Sequence, residues 1–303
     1  MPSQQLVMPL FVRPGTRVRA AIPAMPGQFQ FSIDQLVKEC RDLSKHGVSA
    51  VLLFGLADRK KDDAAEGAFA SDGIVQRAIA AVKTAVPKLS VISDVCLCAY
   101  TAHGHCGIVK TKKPFVIDHS ATREVLAKVA LSHAQAGADR VAPSDMMEGS
   151  VAAIRQALDK NGFKPLPIMA YAAKFASALY APFRTAVDSA PAFGDRRSYQ
   201  LDVADSKGAL RKAAQDLHDG ADIIMVKPAL GYLDIVRRVK DTLRCTTAAF
   251  NVSGEYAMVM AAHEKGWLNA DRIFHEQFLS IRRAGADFIL TYAAKRLLQS
   301  GLS

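Results

Sequence analysis

The sequence predicts an α/β fold, a (β/α)8 TIM barrel, on three observations. Eight short apolar, β-rich runs recur along 303 residues, helical periodicity fills the spaces between them, and one junction motif repeats. The runs are residues 6–12, 50–54, 91–95, 140–142, 167–171, 222–226, 248–252 and 287–290. Most are continuously hydrophobic, as parallel strands buried on both faces should be. The clearest helix begins at Ser32, with Gln35 at capping-box spacing and Leu36, Val37, Cys40 and Leu43 on one face, and Gly47 closes it. The junction recurs as Ala136-Gly137-Ala138-Asp139, Asp219-Gly220-Ala221-Asp222 and Ala284-Gly285-Ala286-Asp287. In each, glycine supplies a left-handed helix cap and alanine lets helix and strand approach closely. An open doubly wound sheet is the alternative, because strand count alone does not close a barrel.

Barrels of this kind often run to ~250 residues as one domain, so a single domain over residues 1–303 is expected. Half of the residues are hydrophobic and 22% are charged, the composition of a globular protein without low-complexity tails. No run approaches the ~18 apolar residues of a membrane helix, and no membrane partner is expected. The start, Met1-Pro2-Ser3-Gln4-Gln5-Leu6, lacks the parts of a secretory signal, which predicts a cytoplasmic protein. The formal charge of +10 invites a nucleic-acid partner. Only Arg59-Lys60-Lys61 and residues 110–113 cluster, however, and no recognition motif accompanies them, so these residues read as solvated surface and no nucleic acid is expected.

In a barrel, chemistry belongs at the C-terminal strand ends. Lys227 stands there, directly after the apolar run 221–226, and Lys174 follows the run 167–171. Desolvation disfavours an ammonium, and two converging amines disfavour charging each other, a route to a nucleophilic Schiff-base lysine. The plainer alternative for either lysine alone is a phosphate-binding or solvated strand end. Asp94, Ser144 with Asp145, Ser253 with Glu255, and Tyr292 fall at the ends of other strands.

Five cysteines without a secretory signal make structural disulfides improbable. Cys96, Cys98 and Cys106 lie on one glycine-containing loop, and three thiolates suit zinc with a fourth position open. His103 and His105 compete as ligands, and unliganded thiols are the alternative. Cys40 and Cys245 read as packing residues. About fifty residues separate the fifth and sixth strands, more than a crossover helix needs, and a lid over approximately 178–206 is expected there. It carries Tyr180, Phe183, Arg184, Arg196 and Gln200, whose arginines suit a carboxylate; ordinary solvated arginines are the alternative.

Taken together, Met8-Pro9-Leu10-Phe11-Val12, Val51-Leu52-Leu53-Phe54-Gly55, the cysteine loop, residues 141–147, Ala173-Lys174-Phe175-Ala176-Ser177, Met225-Val226-Lys227-Pro228 and Val252-Ser253-Gly254-Glu255-Tyr256 resemble the zinc-dependent porphobilinogen synthase (5-aminolevulinate dehydratase) family over nearly the whole chain. That family joins two 5-aminolevulinate molecules, with loss of two waters, into the pyrrole porphobilinogen on the way to haem. The resemblance implies that Lys227 holds the P-side substrate as a Schiff base and that Lys174 can bind the A-side substrate similarly. It implies that Ser253 and Tyr292 bind the P-side carboxylate, and that Arg184, Arg196 and Gln200 bind the A-side substrate beneath Tyr180 and Phe183. Asp94 and Ser144 then flank the reacting centre, and Cys96, Cys98 and Cys106 hold catalytic zinc.

Three departures qualify the resemblance. Lys212 stands where magnesium-stimulated members place a glutamate, so no allosteric magnesium is expected there. Ala99 and Ala102 replace the more usual proline and serine, with all three thiols kept. The chain begins almost at its first strand, whereas members carry an N-terminal arm that embraces a neighbour; a homo-oligomer is expected, with the octamer left open. A class I aldolase on the same barrel, or an inactive basic binding protein, would share the fold but would not need the cysteine cluster.

Overall fold

The structure is a computed structural model that describes residues 5–301. The expectation about the start of the chain rests chiefly on Met1 to Gln4, which lie outside the described residues. Among the described residues, no helix is long and apolar enough to cross a membrane.

The first strand, β1 (Leu6–Val12), leads through a small antiparallel pair, β2 (Arg19–Ala21) and β3 (Phe29–Phe31), into α1 (Ile33–Lys45). β4 (Ala50–Gly55), α2 (Ile74–Ala85) and β5 (Ser90–Val95) follow, then an outer hairpin of β6 (Val109–Lys112) and β7 (Phe115–Ile117). Next come α3 (His119–Gln135), β8 (Arg140–Pro143), α4 (Ser150–Lys160) and β9 (Met169–Lys174). The long connection after β9 contains α5 (Ala181–Ala186) and ends at α6 (Ser206–His218). The chain finishes with β10 (Ile223–Lys227), α7 (Leu233–Leu243), β11 (Thr246–Asn251), α8 (Ser253–Glu264), α9 (Ala270–Arg283), β12 (Phe288–Thr291) and α10 (Ala294–Gln299).

Parallel pairing runs β8-β5-β4-β1-β12-β11-β10-β9, and a parallel bridge between Val141 and Ile168 joins the two ends of this path. The architecture is therefore a (β/α)8 TIM barrel, and the open-sheet alternative falls. All of β1, β4, β9 and β10 is buried, as continuous apolar runs require. Each predicted strand is present; the fifth starts two residues late and extends through Lys174, placing that lysine inside the strand.

The repeated junction does more than cap a helix. Gly137, Gly220 and Gly285 have φ of 97°, 101° and 113°, the left-handed region expected of them. The aspartate two residues later then clasps the neighbouring strand. Asp139 accepts from the Val91 N–H, Asp222 from Ile168 and Asp287 from Thr247, at 2.7–2.8 Å, while each aspartate N–H donates back to the carbonyl of the same residue. Lys83 and Lys240 reach across to Asp139 and Asp287, at 2.8 and 2.6 Å.

One expectation is corrected. Ser32 does stand at the N-cap of α1, but no capping box forms: its hydroxyl accepts from Val18 N–H and donates to Asp34, and Gln35 also turns to Asp34. Val18, just before β2, competes for the serine. The two hairpins were not predicted, because their strands are only three or four residues long.

Candidate active site

Lys174 and Lys227 end adjacent strands and are register partners. Between the Ala170–Ile224 and Ala173–Val226 pairs, β9 carries one more residue than β10, a bulge that brings the lysines level. Both are buried, at 6% and 5% exposure. Lys227 Nζ lies 4.3 Å from the ring centre of Phe250 and 5.0, 5.1 and 5.3 Å from those of Tyr171, Phe183 and Tyr180. Burial in this box, with Lys174 adding to it, depresses the Lys227 amine to about 7. Lys174 Nζ donates to the Ser144 carbonyl.

Asp94, near the end of β5, is pushed up to about 6 by burial, against the pull of Lys174, the Ser144 hydroxyl and Lys227. It can therefore exchange a proton near neutral pH. Its Oδ1 has no hydrogen-bond partner among the described residues. Arg184 Nε, Arg196 Nε and both amide atoms of Gln200 are also buried and unpartnered. Unmet hydrogen-bonding capacity at several residues singled out from sequence marks a place built for a ligand.

The connection after β9 closes over this region. Tyr180 donates to the Lys227 carbonyl at 3.0 Å, and the Phe183 N–H donates to the Ser253 hydroxyl at 3.1 Å. Ser253 in turn donates to the Leu179 carbonyl. Gly254 permits this approach, because a Cβ there would lie 2.6 Å from the Leu179 carbonyl oxygen. Arg196 ties the segment to the cysteine loop by donating to the Gly104 and Ser189 carbonyls at 2.9 and 2.6 Å. With the segment closed, Phe54, Asp94, Cys96, Cys98 and Phe183 line a cavity of only about 20 Å³. Tyr292 sits below, parallel to Phe11 at 5.9 Å.

Cys96, Cys98 and Cys106 are buried, with sulfur atoms all within 4.8 Å of one another. Hydrogen bonds from Cys96 and Cys98 lower the Cys106 thiol against the opposing effect of burial. Such a cluster has the geometry to bind a metal ion. The histidines do not join it. His105 uses one ring nitrogen on the Tyr199 hydroxyl (3.1 Å) and the other on the Phe193 carbonyl (2.9 Å), and its ring stacks on Phe115. His103 accepts from the His105 N–H. All five cysteines are free thiols.

A cavity of about 920 Å³ is lined by Met146, Tyr199, Gln200, Arg211 and Lys212 among others. The Lys212 ammonium pairs with Asp216. Tyr171, Phe250 and Phe54, which complete the box around Lys227, are not among the predicted site residues; Phe54 and Phe250 stand next to last in their strands, the one signal that could have singled them out.

Fold and site together define a barrel enzyme built around buried amines beside a thiol cluster. Comparison with known proteins narrows this. The family model described as delta-aminolevulinic acid dehydratase matches residues 1–300. A delta-aminolevulinic acid dehydratase of Methanothermus sociabilis is 52% identical over 97% of this chain and 90% of its own length, and one of Synechococcus elongatus 50% identical over the same shares. The crystal structure of the Toxoplasma gondii enzyme (porphobilinogen synthase), in complex with the reaction product porphobilinogen, superimposes with a TM-score of 0.96 at 41% identity, over 99% of this chain and 85% of that one. The chain belongs to the delta-aminolevulinic acid dehydratase family.

Proposed function

We propose that this protein condenses two 5-aminolevulinate molecules to porphobilinogen and two waters, and that Lys227 carries the P-side substrate as a Schiff base. The lyase activity follows from family membership. The observation that carries the residue assignment is the buried pair itself, two amines level on adjacent strands with one held near 7 inside an aromatic box.

The neutral Nζ of Lys227 attacks the ketone carbon, its protons pass to the ketone oxygen, and that oxygen leaves as water. Uptake of one further proton turns the resulting neutral imine into an iminium, which draws electrons from the adjacent carbon and eases loss of a proton there and bond formation to the second substrate. Asp94, poised at about 6, is the group suited to shuttle these protons. Lys174 serves the A-side substrate, with Ser144 beside it. Ser253 and Tyr292 take the P-side carboxylate; Arg184, Arg196 and Gln200, with their unpartnered buried atoms, take the A-side substrate. Tyr180 and Phe183 exclude water, which strengthens every charge interaction beneath them.

Cys96, Cys98 and Cys106 would hold zinc, since three clustered thiols suit that ion, and zinc supplies Lewis acidity toward the second carbonyl or a departing hydroxide. No allosteric magnesium is assigned at Lys212, whose ammonium already pairs with Asp216. Residues 178–206 act as the lid, and residues 1–303 form one catalytic domain. A thiol cluster kept reduced fits the cytoplasm. Met258 and Trp267, 59% and 72% exposed, offer apolar surface of the kind that contacts in a homo-oligomer cover.

Borohydride reduction in the presence of 5-aminolevulinate, followed by peptide mapping, tests this reading. A single adduct on Lys227 is expected under limiting substrate. Product formation with Lys227 unmodified would overturn it.

A further inference from the structure

The C-terminal ends of β10, β11 and β12 are joined by a buried polar chain that the sequence reading assigned no role. Glu255, in the first turn of α8, is 1% exposed and accepts from two different strand–helix units. Its Oε2 takes the Val252 N–H at 2.6 Å and the Asn251 side-chain amide at 3.3 Å, while its Oε1 takes the Leu230 N–H at 2.7 Å. Asn251 Oδ1 then accepts from the Thr291 hydroxyl at 3.0 Å, and Thr291 Oγ1 accepts from the Ala293 N–H at 3.1 Å. Asn251 and Thr291 are buried as well.

We propose that Glu255 is a positioning residue that sets the span between the amine of Lys227 and the hydroxyl of Ser253, and so matches the site to the ketone-to-carboxylate length of one ketoacid. This rests on the reading of Lys227 as the imine-forming residue. Leu230 lies three residues after Lys227, Ser253 two residues before Glu255, and Thr291 next to Tyr292, so the chain Leu230–Glu255–Asn251–Thr291 ties together three strand ends that carry ligand groups. A helix start alone would not need this residue. Val252 offers no side-chain acceptor at the N-cap; one carboxylate oxygen accepts from the Val252 N–H itself, and the other reaches the neighbouring unit. Burial pushes the Glu255 carboxyl up to about 7 against backbone bonds from Val252, Leu230 and Ala229. A carboxylate desolvated to this degree costs stability that a neutral cap would spare.

Glu255→Gln keeps one acceptor oxygen, so one of the two anchored N–H groups loses its partner and the tie slackens. The test is borohydride labelling of Lys227 with two ketones, 4-oxopentanoate and pentan-2-one, which share a methyl ketone and differ in the carboxylate. In the unaltered enzyme the ketoacid labels at lower concentration. Glu255→Gln is expected to raise the half-saturating concentration of 4-oxopentanoate about tenfold and leave that of pentan-2-one unchanged. Thr291→Val, close in shape, removes the bonds to Asn251 and from the Ala293 N–H while leaving those of Glu255 in place; it should show a smaller change of the same kind, and it carries the test if Glu255→Gln does not fold. An unchanged ratio between the two ketones, or equal loss with both, would overturn the inference. Absence of labelling at Lys227 in the unaltered enzyme would instead overturn the imine reading and this inference with it.

Discussion

Lys174 and Lys227 are level with one another only because β9 carries an extra residue between its pairs with Ile224 and Val226. Without the bulge, Lys227 would face Ala173. Register partners on adjacent parallel strands project to the same face, so the bulge creates the two-amine site.

The first prediction concerns pH. A protonated amine is no nucleophile, so labelling of Lys227 should fall about tenfold per pH unit below about 7 and level off above it. A lysine at its ordinary value would still gain reactivity at pH 10. Rates of borohydride labelling between pH 5 and 10, read at the Lys227 peptide, check this.

Removing the second amine should raise the midpoint. Burial is the larger cause of the Lys227 depression and Lys174 the next, so Lys174→Met should move the labelling midpoint upward by on the order of one pH unit without restoring an ordinary lysine. A downward move would show that Lys174 does not act as a neighbouring charge.

Cys98→Ala should abolish zinc retention and reduce turnover at least about a hundredfold, with the barrel still folded. Metal content after dialysis and the far-UV circular dichroism spectrum give the two readouts. Full turnover with zinc verified absent would refute the metal's role.

Arg196 joins the cysteine loop to the lid through the Gly104 and Ser189 carbonyls. Arg196→Ala should therefore lower turnover by about a hundredfold, while labelling of Lys227 by 4-oxopentanoate changes little. Arg196→Lys should recover little, because one ammonium does not reproduce the planar fork. Loss of labelling in step with turnover would place Arg196 on the P-side.

At the opposite end of the barrel, Asp287→Ala should lower stability by about 1–3 kcal/mol, because the Thr247 N–H loses its partner in a buried strand start. The half-exposed pair with Lys240 adds at most about 1 kcal/mol. Urea unfolding measures the loss, and specific activity at 25 °C should be unchanged.

Much of this fold was legible because parallel strands buried on both faces leave continuous apolar runs. Residues 50–54 and 222–226 announced β4 and β10 in that way, and Gly137, Gly220 and Gly285 announced the helix ends through a conformation that glycine adopts without strain. The strand-end position of Lys227 and the close spacing of Cys96, Cys98 and Cys106 were legible for the same reason, since both depend on local order along the chain. The β2–β3 and β6–β7 hairpins were not, because strands of three or four residues are too short to show periodic burial. Nor was the competition of Val18 for Ser32, or of Tyr199 and Phe193 for His105.

The amino-acid sequence by itself determined the eight alternating strands and helices, the strand that bears each reactive group and the resemblance to a family, because these follow from local hydrophobic pattern and residue order, whereas closure into a barrel rests on the bridge between Val141 and Ile168. Only the tertiary structure decided that two lysines stand level, that His105 is engaged elsewhere, and that Glu255 links β10 to β11. Those facts depend on register, on a bulge and on hydrogen bonds between segments far apart in the chain, and side-chain spacing along a strand carries no information about what lies across the barrel from it.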